Sequence, residues 1–166
     1  MSISQGDTIL HPQHGVGLIK SIRRVSFSGE EPRKFAKLFF KRDKLTVMMR
    51  PDDLDETVRS IISAAEARKV LKHLESNDSE MSSHWKTRAK KNEAAIAGGD
   101  PYDLATIYKG LSRMQQSGQS LRAADRKHMQ TSMDFLSEEL AAALGKSQAQ
   151  VEKMIHDRCQ LPEKQD

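Results

Sequence analysis

The stretch "HWKTRAKKN", residues 84–92, holds the only tryptophan of the chain, Trp85, with Lys86, Arg88, Lys90 and Lys91 close behind it. On a helix Trp85, Arg88 and Ala89 share a face, three and four residues apart, and Lys90 and Lys91 flank it. A second group of cations, Arg122, Arg126 and Lys127, opens a later run, while Lys109 and Arg113 sit on the run before it. If folding gathers these ends, they form one positive surface that neutralises phosphates and orients a duplex without reading its sequence. An aromatic ring at its centre would insert between base steps or stack on an unpaired base. The same residues admit a plainer arrangement, with Trp85 packed on Ile96 or Leu104 and the lysines solvating a helix. The residues alone leave both open.

Other chemistry is sparse. The chain has no G-x-x-x-x-G-K-[ST] phosphate loop, no G-x-G-x-x-G and no G-x-S-x-G elbow. His11 and His14 in "HPQHG" have H-x-x-H spacing, but Pro12 and Gly15 argue for a turn, and a metal site needs a third ligand. The remaining histidines are scattered over separate segments. Asp52, Asp53, Asp55 and Glu56 read as the acidic start of a helix, where carboxylates favour the dipole. Cys159 has no base near it in sequence. These observations point away from an enzyme and predict neither cofactor nor metal.

Composition sets the outer bounds. The chain has 166 residues, 37% hydrophobic, with 27 Lys and Arg against 23 Asp and Glu, a formal charge of +4. Mean hydropathy is −0.66 and the pI about 9.2. A mild excess of this kind suits a polyanionic partner only where the cations cluster. One cysteine excludes an intrachain disulfide and a multi-cysteine zinc site, and fits a reducing compartment. The start "MSISQGDTIL" has neither basic nor apolar leader regions, and no run reaches the length of a membrane span. A cytoplasmic protein with no membrane partner is expected.

The elements that must carry these residues fall into two groups. "GDTIL", "GVGLIKSI", "VSF", "KFAKLFF" and "LTVMMRP" are short runs parted by Gly, Pro and charged turns, and they predict a strongly bent SH3-like or Tudor-like barrel. Of Phe35, Phe39 and Phe40, two are expected in its core. From Asp52 the period becomes helical. Ser63 with Glu66 predicts a capping box ahead of Ala67, Val70, Leu71 and Leu74. "NDSEMSS" reads as a linker or the start of the Trp85 helix, which Gly98 and Gly99 end. Asp100, Pro101 and Asp103 start another helix, stopped at Gly118. A long one runs from about Arg122 to Leu144, ended by Gly145, and Ser147 with Gln150 caps the last. The expected organisation is α+β in two domains: a β module over 1–56, a helical bundle over 57–158, and a frayed tail over 159–166.

Three pieces in order, "GDTILHPQHGVGLIKSI", "LTVMM" and "HWKTRAKKNEAAIAGGD", resemble the CarD/CdnL family of bacterial transcription regulators. The likeness runs from Gly6 to about Leu144. It implies an N-terminal Tudor-like module, similar to the polymerase-interacting domain of transcription-repair coupling factors, docked on the β subunit of RNA polymerase. It implies a helical domain on promoter DNA at the upstream edge of the bubble, with Trp85 wedged into the minor groove to stabilise the open complex. Carried over by position, DNA contacts fall on Trp85, Lys86, Arg88, Lys90, Lys91, Arg126 and Lys127. Polymerase contacts fall on Arg24, Val25, Val47, Met48 and Met49, and the strand edge around Leu45–Met49 offers backbone pairing. The chain departs from the family pattern at His11, where tyrosine is common. It departs too at Val25, Met48 and Thr87, where basic side chains occur. A monomer is expected. The rival reading is a protein-interaction adaptor in which Trp85 anchors another protein.

Overall fold

The structure, a computed structural model, describes residues 2–76 and 81–161. It separates into two compact units, Met1–Ile61 and Ile62–Asp166. The first unit ends later than residue 56 because of local pairing: α1 (Pro51–Thr57) is followed by a two-residue strand, β5 (Arg59–Ser60), which hydrogen-bonds to β1 (Thr8–His11).

The first unit is an antiparallel sheet in the order β4-β3-β2-β1-β5, with β2 over Gly15–Val25, β3 over Arg33–Phe40 and β4 over Leu45–Met49. A register shift between Ile19 and Ser21 bends β2 at Lys20. The expected barrel is not closed. Closure needs the two edges to pair, and β5 is too short to reach along β4, so β4 keeps an edge with no strand partner among the described residues. Alternation assigns the faces: Ala36, Leu38 and Phe40 are fully buried with Ile9, Ile19 and Leu54, while Phe35 and Phe39 point to the outer face and are half-buried. Only Phe40 of the three phenylalanines therefore belongs to the core.

Gly17 is where that core is tightest. It lies opposite Phe40 in the ladder, and a Cβ there would sit 2.5 Å from Phe40 Cε1 and 3.1 Å from Ile9 Cδ1. Phe40 is fully enclosed and has nowhere to swing. Gly17→Ala is expected to destabilise this unit by about 1–3 kcal/mol through overpacking, read as a lower urea midpoint of the intact chain. A midpoint equal to wild type would show that the ring relaxes freely.

The second unit follows the expected caps closely. Ser63 Oγ accepts from the Glu66 amide at the start of α2 (Ala64–His73), although Glu66 turns its carboxylate to Lys69 and Tyr102 instead of completing a box. Asp100 Oδ1 accepts from the Tyr102 and Asp103 amides ahead of α4 (Pro101–Gln116). Ser147 and Gln150 exchange both bonds of a capping box at α6 (Gln148–Arg158). Gly99 and Gly145, both left-handed, end α3 (Trp85–Gly98) and α5 (Ala123–Leu144). The core joins Val70 and Leu71 of α2, and Leu74 just past its end, to Leu104 and Tyr108 of α4, Leu136 and Leu140 of α5, and Val151 and Ile155 of α6.

Two expectations about the ends of this unit change. Cys159 is fully buried in the core, its thiol pushed up to about 11 by burial, and its carbonyl accepts from Gln116 Nε2. The Leu161 amide donates to Gln116 Oε1, so order extends past residue 159. Residues 162–166 of the expected tail lie outside the described residues, as do residues 77–80 of the expected linker. Lys109 and Arg113 also leave the predicted basic surface. Lys109 is fully buried, donating to the His73 carbonyl and Ser76 Oγ, and Arg113 donates to the Ser76 carbonyl. They satisfy acceptors at the C-terminal end of α2, where its dipole favours cations.

Candidate nucleic-acid interface

Helix α3 has one large aliphatic residue, Ile96, and cannot bury an apolar stripe. It is held by polar groups instead. Arg88, one turn after Trp85, is only 4% exposed and docks on Asp125 of α5: Nε donates to Oδ1 at 2.8 Å and Nη2 to Oδ2 at 2.7 Å. Its remaining nitrogen, Nη1, donates to the Ser82 carbonyl at 2.8 Å. The resemblance implied a phosphate contact for Arg88, but the folded chain encloses its guanidinium and does not present it to a phosphate. Its fork is spent inside the protein, and a charge so enclosed stays only because it is paired.

Asp125 has a second task. Its Oδ2 accepts from the Arg122 amide at 3.0 Å, fixing the first turn of α5. The Arg88 guanidinium holds the carboxyl below the usual carboxylate range against the opposing effect of burial, with the Arg122 amide helping. This one ion pair ties the N-terminal end of α3 to that of α5. Asp125 was missed in the sequence, although it is the lone acid in "LRAADRK".

Trp85, the first residue of α3, is 38% exposed, among the most exposed large apolar side chains of the described chain. The guanidinium carbon of Arg122 lies 4.5 Å from its ring centroid and Lys86 Nζ lies 5.5 Å away. The sequence marks Arg122 only as a cation, since its stacking on Trp85 depends on a contact 37 residues away in sequence. Lys90 and Lys91 on α3 and Arg126 and Lys127 on α5 are exposed. Arg126 Nη1 donates to the Leu121 carbonyl at 2.6 Å. None of Lys86, Lys90, Lys91, Arg126 or Lys127 has a carboxylate partner among the described residues. Cations at helix N-termini oppose the dipole and cost stability, so Lys86 and Arg122 stand at these two helix starts against the preference of the helices themselves.

In the first unit the five residues expected at the polymerase divide by face. Met48, 42% exposed, stands on the outer face opposite Lys37, and Val25, opposite Arg33, shares that face. Arg24 is exposed with the opposite alternation. Val47 and Met49 turn inward against the core, so a partner on β4 meets their backbone edge and not their side chains. Phe27, 52% exposed and edge-on to Phe35 at 5.3 Å, was not singled out in the sequence. His11 and His14 belong to a turn: His11 Nδ1 accepts from the Gln13 and His14 amides, and His14 Nδ1 bonds Asp43 at 2.9 Å. Among the described residues no three His, Cys, Asp or Glu side chains could hold a metal ion. No helix among them is long and apolar enough to cross a membrane.

An antiparallel sheet whose edge strand β4 has no strand partner among the described residues, followed by a helical unit with an indole among cations, is an α+β arrangement in two units. Residues 69–156 match the family model "CarD, C-terminal domain", and residues 3–62 match "CarD-like/TRCF RID domain". The chain belongs to the CarD/CdnL family, whose members act in transcription without being enzymes and whose first domain is an RNA-polymerase-interacting one. It is also 26% identical over 147 residues, 88% of this chain and 95% of the relative, to YdeB of Bacillus subtilis (strain 168), described as a candidate transcription factor.

Proposed function

We propose that this protein docks on the β subunit of RNA polymerase through its first unit and holds promoter DNA with its second, Trp85 entering the minor groove at the upstream edge of the bubble. The observation that carries this reading is the exposure of Trp85 at the first turn of α3, beside Lys86 and Arg122. A wedge of this kind unstacks bases at a cost of a few kcal/mol, least where they are already unpaired. It therefore favours melted over closed DNA, and only that difference moves the equilibrium. Lys86, Lys90, Lys91, Arg126 and Lys127 supply phosphate contacts that add affinity to both states. The open edge of β4 suits strand addition by a polymerase segment, an interaction tolerant of Met48 and Val25 in place of basic side chains.

The test is promoter melting by polymerase with and without the intact protein. Longer-lived open complexes are expected in its presence, and unchanged lifetimes would overturn the reading. The phosphate contacts make a separate prediction. Lys90→Ala and Arg126→Ala should each weaken DNA binding about equally across sequences and flatten the slope of log K against log salt by about one. Binding isotherms at several salt concentrations check this, and an unchanged slope would remove these residues from the interface.

A further inference from the structure

Trp85 is exposed, yet one of its faces is occupied. The Arg122 guanidinium carbon sits 4.5 Å from the ring centroid, and no acid among the described residues draws it away. Both partners are fixed by the same ion pair. Arg88, one turn beyond Trp85, grips Asp125, and Asp125 accepts from the Arg122 amide. Lys86 Nζ also lies over the ring, farther off at 5.5 Å; both cations are exposed, and they differ in distance and in the shape of the charged group. A planar guanidinium stacks on an aromatic face in a way that an ammonium does not.

We propose that Arg122 is the positioning residue of the indole: its guanidinium closes one face of Trp85, leaving the ring to stack on a single base at the junction where duplex gives way to unpaired strands. The proposal rests on the reading of Trp85 as a DNA wedge and narrows its ligand. A ring threaded into a continuous stack needs two free faces. One that carries an arginine on one side has only the opposite face and its edge to offer, and that geometry fits the last base of a stack. Arg122 makes no side-chain bond in capping α5, so its planar group is free to serve the ring.

The intact protein is titrated with a forked DNA, a duplex continuing into two unpaired strands, and with a fully paired duplex of equal length. Wild type is expected to prefer the fork. Arg122→Ala and Arg122→Lys should both lower the fork-to-duplex affinity ratio about two- to fivefold, while Arg122→Lys retains the salt slope. Trp85 is the only tryptophan, so acrylamide quenching of the free protein reports the ring alone, and quenching should rise in both variants. If Arg122→Lys keeps the wild-type ratio and quenching, charge suffices and the positioning role is overturned. Arg122→Ala without effect on either readout overturns it too. Trp85→Ala separates the two levels: a lowered ratio there with unchanged Arg122 variants removes only the positioning role, whereas an unchanged ratio removes the wedge itself.

Discussion

Replacing Arg88 by alanine is expected to destabilise the helical unit by about 3–5 kcal/mol, the usual cost of stranding one half of a buried ion pair. Asp125, 1% exposed in the intact protein, would keep a single amide donor, and the Ser82 carbonyl would lose its guanidinium partner. Arg88→Lys should recover little, because one ammonium cannot reproduce two parallel bonds to the carboxylate and a third to Ser82. Changing both residues to apolar ones of similar volume should return much of the stability, since the desolvation cost leaves with the charges. Urea denaturation of the intact chain measures all three, and single variants within about 1 kcal/mol of wild type would show the pair to be a bystander. The pair also fixes a pH dependence. Because the folded Asp125 carboxyl is held below its ordinary value, its contribution is fully present above about pH 4 and fades as the pH falls from there through the lower folded value. Asp125→Asn should remove that portion of the acid slope.

The same pair explains what could be read from the sequence and what could not. Caps are local, and Ser63, Asp100, Gly99, Gly145 and the Ser147–Gln150 box act where their spacing says they should. Arg88 misled because a helical repeat assigns residues to a face without saying which way that face looks. The deciding partner lay on another helix, and α3 has too few apolar residues to mark its inner side. Lys109 failed for a similar reason: a cation on an apolar stripe is drawn inside when helix-end carbonyls await it. Barrel closure was equally hidden, since it turns on whether two edge strands meet. A two-residue strand carries almost no pattern of its own.

Trp85→Ala is expected to shorten the open-complex lifetime on polymerase about 5- to 150-fold while leaving affinity for the isolated β subunit unchanged. The range follows from stacking energies of about 1–3 kcal/mol per base lost on alanine substitution. Removing the ring should cost the protein little of its own stability, because the side chain is 38% exposed and stands at the first residue of α3, apart from the apolar core. The loss should fall on melted DNA more than on closed duplex, for the phosphate contacts remain and serve both states equally. Trp85→Phe, which keeps a smaller ring at the same helix end, should give an intermediate lifetime. Equal lifetimes for Trp85→Ala and wild type would show that the indole does not act on the bubble. A variant that loses affinity for closed and forked DNA by the same factor would show a ring that adds grip without favouring the open state, because a ligand with equal affinity for two states shifts neither.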